Sequence, residues 1–476
     1  MRRHPIIIIL LALIAAVHPA ASAAETIRVA IGTQDTTINT ATGGLLIREL
    51  KLLEKYLPHD GKYQGVTYDI EWKNFTSGPP LTNEMVAGKL DFGAMADFPA
   101  ALNGVAFQKA GKRSIFISVL SGSIIGSGSG IVVPIDSPAQ SLSDLKGKLI
   151  SVPFGSTAHG MLLRAIAALG WDPERDVNLV SQSPEIGGTS LKAHKVDAHA
   201  DFVPFADLFP FRGFARKIYD GAQGNAATFH GALVTGAFAQ QYPEIVVAYL
   251  RAAIEADRLF AAEPEKYCEL IQHVTGIEAE VSYLFHGPFG IQTRDFTWKP
   301  EYRTAVTTAI ATLKLLKKTD ANLDVDHFVD DQYLRRAFAL SGRDYDATLK
   351  DYAKLPLPPH AQDAVTGRVI TDPLLLAQIW LKGEPLVRDY ASPQNALVAL
   401  RTLEAAGHQA RVVYVHDRVN GLKLFANQAW FVVAPDGSVS AFLLKDAAAT
   451  WAKAHGGTVA GFDAATQAAV STPTAK

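Results

Sequence analysis

Val152-Pro-Phe-Gly-Ser-Thr-Ala-His-Gly-Met161 decides how the chain is read, because an apolar run stops there at a Gly-Ser-Thr turn and gives way to a helix. Residues 149–152 read as a strand and 158–169 as a helix, since Met161, Leu162, Ile166 and Leu169 recur at helical spacing. Ser156 or Thr157 is then the N-cap. Unpaired N–H groups and the positive end of the helix dipole face the turn, so a sulfonate, nitrate or carboxylate is its natural guest. An ordinary capped helix of an α/β domain carries the same residue types, and the local sequence alone does not separate the two.

Outward from this junction, strand and helix signals alternate. Residues 27–31 and 68–72 read as strands, and 83–88 as a short helix feeding Leu90-Asp-Phe-Gly-Ala-Met95. That order predicts an α/β fold with largely parallel sheets. A chain of 476 residues exceeds one typical core, and the Pro-rich Leu355-Pro-Leu-Pro-Pro-His-Ala361 marks the main boundary, giving a linker at 353–363. At the start, Met1-Arg-Arg-His, an apolar Pro5 to Val17 and Ala21-Ser22-Ala23 form a secretory signal peptide over 1–23. The mature protein is expected in the periplasm with no membrane anchor. Without Arg2 and Arg3, 43 of the 45 basic residues stand against 47 acidic ones, a formal net charge of −4 with no basic cluster, so nucleic acid is not an expected partner. The lone Cys268 excludes an internal disulfide and reads as an inert thiol on a buried helix face.

From about Thr26 to Tyr352 the chain resembles the periplasmic substrate-binding proteins of ABC importers for nitrate, taurine, aliphatic sulfonates and related small anions. Four landmarks in order carry the resemblance: Ile27-Arg-Val-Ala-Ile-Gly-Thr-Gln34; Val86-Ala-Gly-Lys-Leu-Asp-Phe-Gly93; Leu142-Ser-Asp-Leu-Lys-Gly-Lys-Leu-Ile-Ser-Val-Pro-Phe-Gly-Ser-Thr157; and Leu191-Lys-Ala-His-Lys-Val-Asp-Ala198. The resemblance implies a two-lobed, type II-like α/β fold that closes on its ligand. Lobe one would comprise residues 25–122 and 226–350, and lobe two 125–222, with Ser121-Gly-Ser-Ile-Ile-Gly-Ser-Gly-Ser-Gly130 at the first crossing between them.

Loops at the carboxyl ends of strands then supply the candidate contacts. Lobe one offers Gly32, Thr33 and Gln34, then Thr76, Ser77 and Gly78, then Asp97 and Phe98; lobe two offers Ser156, Thr157, Ala158 and His159, then Glu185, Pro204 and Phe205. Hydroxyl and N–H donors would take the anionic head, and Phe98 and Phe205 would cover an organic tail. The carboxylates Asp97 and Glu185 repel a plain anion, so they meet a ligand amine or pair with a basic side chain; a helix N-cap before Pro99 is the other reading of Asp97. His159 either donates to an oxyanion or turns outward, and His230 has similar standing. No arginine is placed facing the ligand.

From about Ala364 to Phe462 the tail resembles the NosL-like family of copper-accessory modules, through Ala377-Gln-Ile-Trp-Leu381, Ser392-Pro-Gln-Asn-Ala-Leu397, Val413-Tyr-Val-His-Asp417, Ala429-Trp-Phe-Val-Val433 and Ala441-Phe-Leu-Leu-Lys-Asp-Ala-Ala448. A small α+β domain over 364–470 follows, with helices at 394–406 and 446–455. It departs from that family in containing no sulfur: the methionines are at 1, 85, 95 and 161 and the cysteine is at 268. Copper(I) favours such ligands, which leaves His408, His416 and His455 without a close spacing motif, and no metal site or cofactor is expected. The sequence therefore predicts a non-enzymatic, monomeric receptor that hands a small anionic solute to an inner-membrane ABC permease. The alternative is a copper-linked accessory protein or metal sensor acting through the tail. An enzyme is disfavoured: the pyrimidine-synthesis proteins that share the fold carry a cysteine-rich motif absent here, and Ser156 with His159 is no established nucleophile–base pair.

Overall fold

The structure, a computed structural model, describes residues 25–315, 319–320, 322–351 and 361–471. The expected signal peptide and most of the expected linker lie outside the described residues. The chain lays down β1 (Thr26–Thr33), β2 (Thr67–Asn74), β3 (Phe92–Ala96) and β4 (Ser114–Ser123). It then crosses to β5 (Gly130–Pro134), β6 (Leu149–Val152), β7 (Asn178–Ser181), β8 (Ala198–Asp201) and β9 (Ala215–Asp220), and returns as β10 (Thr228–Thr235). The first sheet has the order β2-β1-β3-β10-β4 and the second β7-β6-β8-β5-β9, giving two lobes joined by two crossings.

The sheets are mixed rather than largely parallel. β1 runs parallel to β2 and β3, and β6 parallel to β7 and β8, as βαβ units require. β10, however, is antiparallel to β3 and β4, and β5 is antiparallel to β8 and β9. The physical reason is the double crossing: one strand leaves each lobe where another arrives, and the two pair side by side. All ten residues of β4 are buried, which fits a sheet covered on both faces.

Helices α1 (Leu45–Glu49), α2 (Leu52–Tyr56), α3 (Gly78–Val86) and α4 (Asp97–Lys109) flank the first sheet, and α5 (Thr157–Ala168), α6 (Pro184–Lys192) and α7 (Phe205–Phe211) the second. α3 begins at Gly78 rather than at Asn83, because Pro79 and Pro80 occupy the first turn, where a missing N–H costs nothing. After β10 come α8 (Gly236–Gln241), α9 (Pro243–Ala262), α10 (Pro264–Thr275), α11 (Ala279–His286), α12 (Pro300–Leu315), α13 (Val325–Phe328), α14 (Gln332–Leu340) and α15 (Tyr345–Asp351). Cys268 on α10 is fully buried, and burial pushes its thiol up, so the folded chain holds it as an unreactive neutral group.

The C-terminal module has two small antiparallel sheets. β11 (Ala377–Leu381), β12 (Arg388–Tyr390), β13 (Ala410–His416) and β14 (Lys423–Phe425) form one in the order β12-β11-β13-β14. β15 (Trp430–Val433), β16 (Val439–Phe442) and β17 (Thr458–Ala460) form the other, with α16 (Pro393–Ala405), α17 (Lys445–His455) and α18 (Phe462–Ser471) packed on them. Asp363 ties the start of the module together, accepting from the Ala391 N–H at 2.7 Å and from Asn395 Nδ2 at 2.9 Å.

The module touches both lobes. Against lobe one, Tyr414 donates to the Glu280 carbonyl at 2.8 Å, Arg411 pairs with Glu280 at 2.8 Å, and the fully buried Lys423 donates to the Pro288 carbonyl at 3.1 Å. Against lobe two, Phe425 meets Phe211 with ring centroids 5.0 Å apart, and Gln428 Nε2 donates to the Pro210 carbonyl at 3.2 Å.

Candidate functional site

The cleft between the lobes is built by two helix starts that face each other. α4 follows β3 without a loop, which places Asp97 and Phe98 at the carboxyl end of the first sheet. α5 follows β6 through the Gly-Ser-Thr turn. Ser156 is its N-cap, with Oγ accepting from the His159 N–H at 3.2 Å. Between them, Asp97 Oδ1 accepts from the Phe98 N–H at 2.8 Å, from Thr228 Oγ1 at 3.3 Å and, across the lobes, from Thr157 Oγ1 at 3.5 Å. A built-in carboxylate thus stands where the sequence places the head of an anionic guest. Its burial pushes the carboxyl up to about 6, against the opposing pull of Arg164 on α5 and these donors.

The lobes are shut on one another here. A Cβ at Gly160 on α5 would lie 2.9 Å from the Phe98 ring, and one at Gly155 would lie 3.3 Å from Pro79. At the far edge of the cleft, Arg212 in lobe two grips Glu278 in lobe one through two hydrogen bonds of 2.8 and 3.0 Å. Beside this latch runs a crevice of about 340 Å³ lined by Thr36, Glu185, Lys192 and Phe205.

The other sequence candidates fall into place around this geometry. Gly32 is glycine for packing, since a Cβ would lie 2.9 Å from Leu90 and 3.0 Å from Leu81. Thr33 donates to Asp35 at 2.7 Å, and Gln34 Nε2 to the Ala94 carbonyl at 2.8 Å, so both are engaged within lobe one. Thr76 is exposed and Ser77 half-buried at the start of α3, beside Gly78, which packs on Pro99. Ala158 is fully buried. Asp97 is the first residue of α4 rather than its N-cap, a position held by Ala96, whose side chain has no acceptor. His159 does not turn outward: its ring is buried, stacks on Phe154 at 4.7 Å, and Nδ1 accepts from the Gly155 N–H at 3.2 Å. Glu185 is exposed in the first turn of α6. Phe205 and Pro204 are buried; Phe205 packs against Phe202 and Phe209 with centroids 5.8 and 5.9 Å away. The structure therefore brings Asp97, Phe98 and Thr157 together, sets Glu185 and Phe205 at a separate crevice, and buries Gly32, Thr33 and Gln34 within lobe one.

Sequence reasoning missed Thr228 and Arg164, and also a polar knot behind β1. There Asn39 Nδ2 donates to His230 Nδ1 at 3.0 Å and to Gln292 Oε1, and Gln292 Nε2 donates to the Ser127 carbonyl at 2.9 Å. Asn39 Oδ1 and Thr37 Oγ1 are buried with no hydrogen-bond partner. Burial pushes the His230 imidazole down to about 3, so it is neutral and accepts from Asn39. A Ser-His-Asp chain also exists in lobe two, with Ser151 Oγ 2.7 Å from His199 Nδ1 and His199 Nε2 2.8 Å from Asp201. All three residues are fully buried, so no substrate reaches them, and the chain holds β6 to β8. In the module, His416 places its ring nitrogens 2.7 Å from the Leu376 carbonyl and 3.2 Å from the Phe289 carbonyl, and His455 stacks on Trp451 at 3.9 Å. Among the described residues, no three His, Cys, Asp or Glu side chains converge as a metal site, and no helix is long and apolar enough to cross a membrane.

No family model matches the chain. It is 28% identical over 249 residues, 52% of this chain and 73% of the other, to an Escherichia coli (strain K12) protein provisionally named an aliphatic sulfonates-binding protein. It is 27% identical over 254 residues, 52% of this chain and 74% of the other, to the taurine-binding periplasmic protein of the same strain. Among solved structures, the alkanesulfonate-binding protein SsuA from Xanthomonas axonopodis pv. citri, bound to MOPS, superposes with a TM-score of 0.53 at 23% identity, covering 65% of this chain and all of its own. The chain has the two-lobed periplasmic binding protein fold with an added C-terminal module.

Proposed function

We propose that the protein is a periplasmic receptor that closes on a small organic anion, a sulfonate, and delivers it to an inner-membrane ABC importer. The observation that carries this reading is the start of α5, where a capped helix N-terminus brings the Thr157 hydroxyl to Asp97 across the cleft. A solute whose sulfonate meets α5 while an ammonium meets Asp97 satisfies both partners at once, so an amino-sulfonate fits better than nitrate. The likeness to taurine- and sulfonate-binding proteins over half of the chain supports the same class. We read the protein as a monomer and not an enzyme. The NosL-like reading of the module rests on its sequence pattern, and the copper-linked alternative draws no support from histidines already facing carbonyls or stacked on a ring.

Calorimetric titration of the mature protein with taurine, ethanesulfonate and nitrate tests the proposal. One saturable site, tightest for taurine, is expected. Absence of binding to all three, or steady conversion of the bound solute, would overturn it.

A further inference from the structure

Beside the cleft, and reaching it at Thr157 and Thr228, a cavity of about 350 Å³ lies between lobe two, the crossing segments and the C-terminal module. Its floor is the face of α5 that carries Met161, Arg164 and Ala168, with Tyr219 of β9 alongside. Ser141 and Leu142 close one side, and Lys445 at the start of α17 closes the other. Three separate parts of the chain must come together to make it.

Arg164 gives the cavity its chemistry. The guanidinium is half-buried and makes no hydrogen bond or ion pair among the described residues. Its charge acts on Asp97 through space, while its five N–H donors are left open to a bound anion. Lys445 adds a second cation, and the α17 N-cap, Leu444, supplies no side-chain acceptor to the first-turn N–H groups. Against these two cations, Asp446 is the one carboxylate among the described lining residues. Leu142, Met161, Ile218 and Leu444 give the cavity an apolar side, Gln140, Ser143 and Gln223 a polar one, and the volume suits a small molecule.

The geometry points to a second ligand site in the outer part of this cavity, between Arg164, Ala168 and Lys445, for an organic monoanion with a compact apolar body; the inner end of the cavity reaches Thr157 and Thr228 of the interlobe site. Arg164 borders both: on one side this cavity, on the other the crevice beside Asp97. An anion in the cavity draws the guanidinium toward itself and away from Asp97, which links the module junction to the cleft.

The test is titration of the full mature protein with 4-(trifluoromethyl)benzenesulfonate, followed by calorimetry and by fluorine NMR. Ala168, exposed on the cavity rim, allows the filling variant Ala168→Trp; Lys445→Glu reverses a charge without filling space. Neither touches the cleft. Two classes of site are expected in the wild type, with one class weakened at least tenfold in both variants and the other unchanged. A single class abolished by both variants would uphold the cavity site while removing support for the cleft reading. A single class unaffected by either, two classes both unaffected, or no binding would overturn the inference.

Discussion

Asp97 is the residue on which solute class turns, because its charge opposes one kind of guest and attracts the other. With the folded carboxyl at about 6 against an ordinary 3.8, the folded state keeps a proton that the unfolded chain has lost. The stability from this difference is fully present below pH 3.8 and is lost as pH rises through 6; it amounts to about 3 kcal/mol at most. Affinity follows the same titration. A plain sulfonate is expected to bind more weakly as pH rises from 5 to 7, since ionised Asp97 repels it. An amino-sulfonate is expected to bind more tightly over that interval, since its ammonium gains a counter-ion. Titrations of taurine and ethanesulfonate at pH 5, 6 and 7 check this, and Asp97→Asn should flatten both profiles. Parallel slopes for the two solutes would rule out an Asp97–ammonium contact.

At the scale of elements, α5 joins capping, anion recognition and closure. Gly160 sits in its second turn, where Phe98 of the opposite lobe approaches too closely for a Cβ. Gly160→Ala should strengthen the isolated helix by about 0.5–1 kcal/mol while holding the lobes apart. Expected is an unchanged or raised melting temperature without ligand together with at least a fivefold loss of solute affinity; equal affinity would mean that Phe98 yields. The β6–α5 junction was legible in the sequence because strand, cap and helix are contiguous: Leu149–Val152 is the strand read from it, and Ser156 caps the helix. Thr228, Asn39 and Gln292 were not legible. Their partners come from distant segments of the chain, and no local periodicity marks a side chain whose partner is 131 to 253 residues away. The orientation of His159 was hidden for a related reason, since one stacking contact with exposed Phe154 settles what helical phase leaves open.

At the scale of the molecule, the closed arrangement is held from two directions. Arg212 and Glu278 join the lobes directly. The module joins them indirectly, because its first sheet lies on α11 while Phe425 and Gln428 reach α7. Opening the cleft must therefore break the latch, or slide α7 past the module, or both. A partly exposed ion pair of this kind contributes about 0.2–1 kcal/mol, and an aromatic contact about 0.5–1.5 kcal/mol, so together they bias the lobes toward closure by roughly 3- to 70-fold. A receptor biased in this way gives up less free energy on closing around solute, which tightens apparent affinity, but it also admits and releases solute more slowly. Arg212→Ala combined with Phe425→Ala is expected to enlarge the ligand-free radius of gyration in X-ray scattering and to speed solute dissociation in stopped-flow, with saturating solute restoring the compact form. An unchanged radius of gyration in the double variant would show that the lobe contacts at Phe98 and Pro79 hold the cleft shut without the latch or the module.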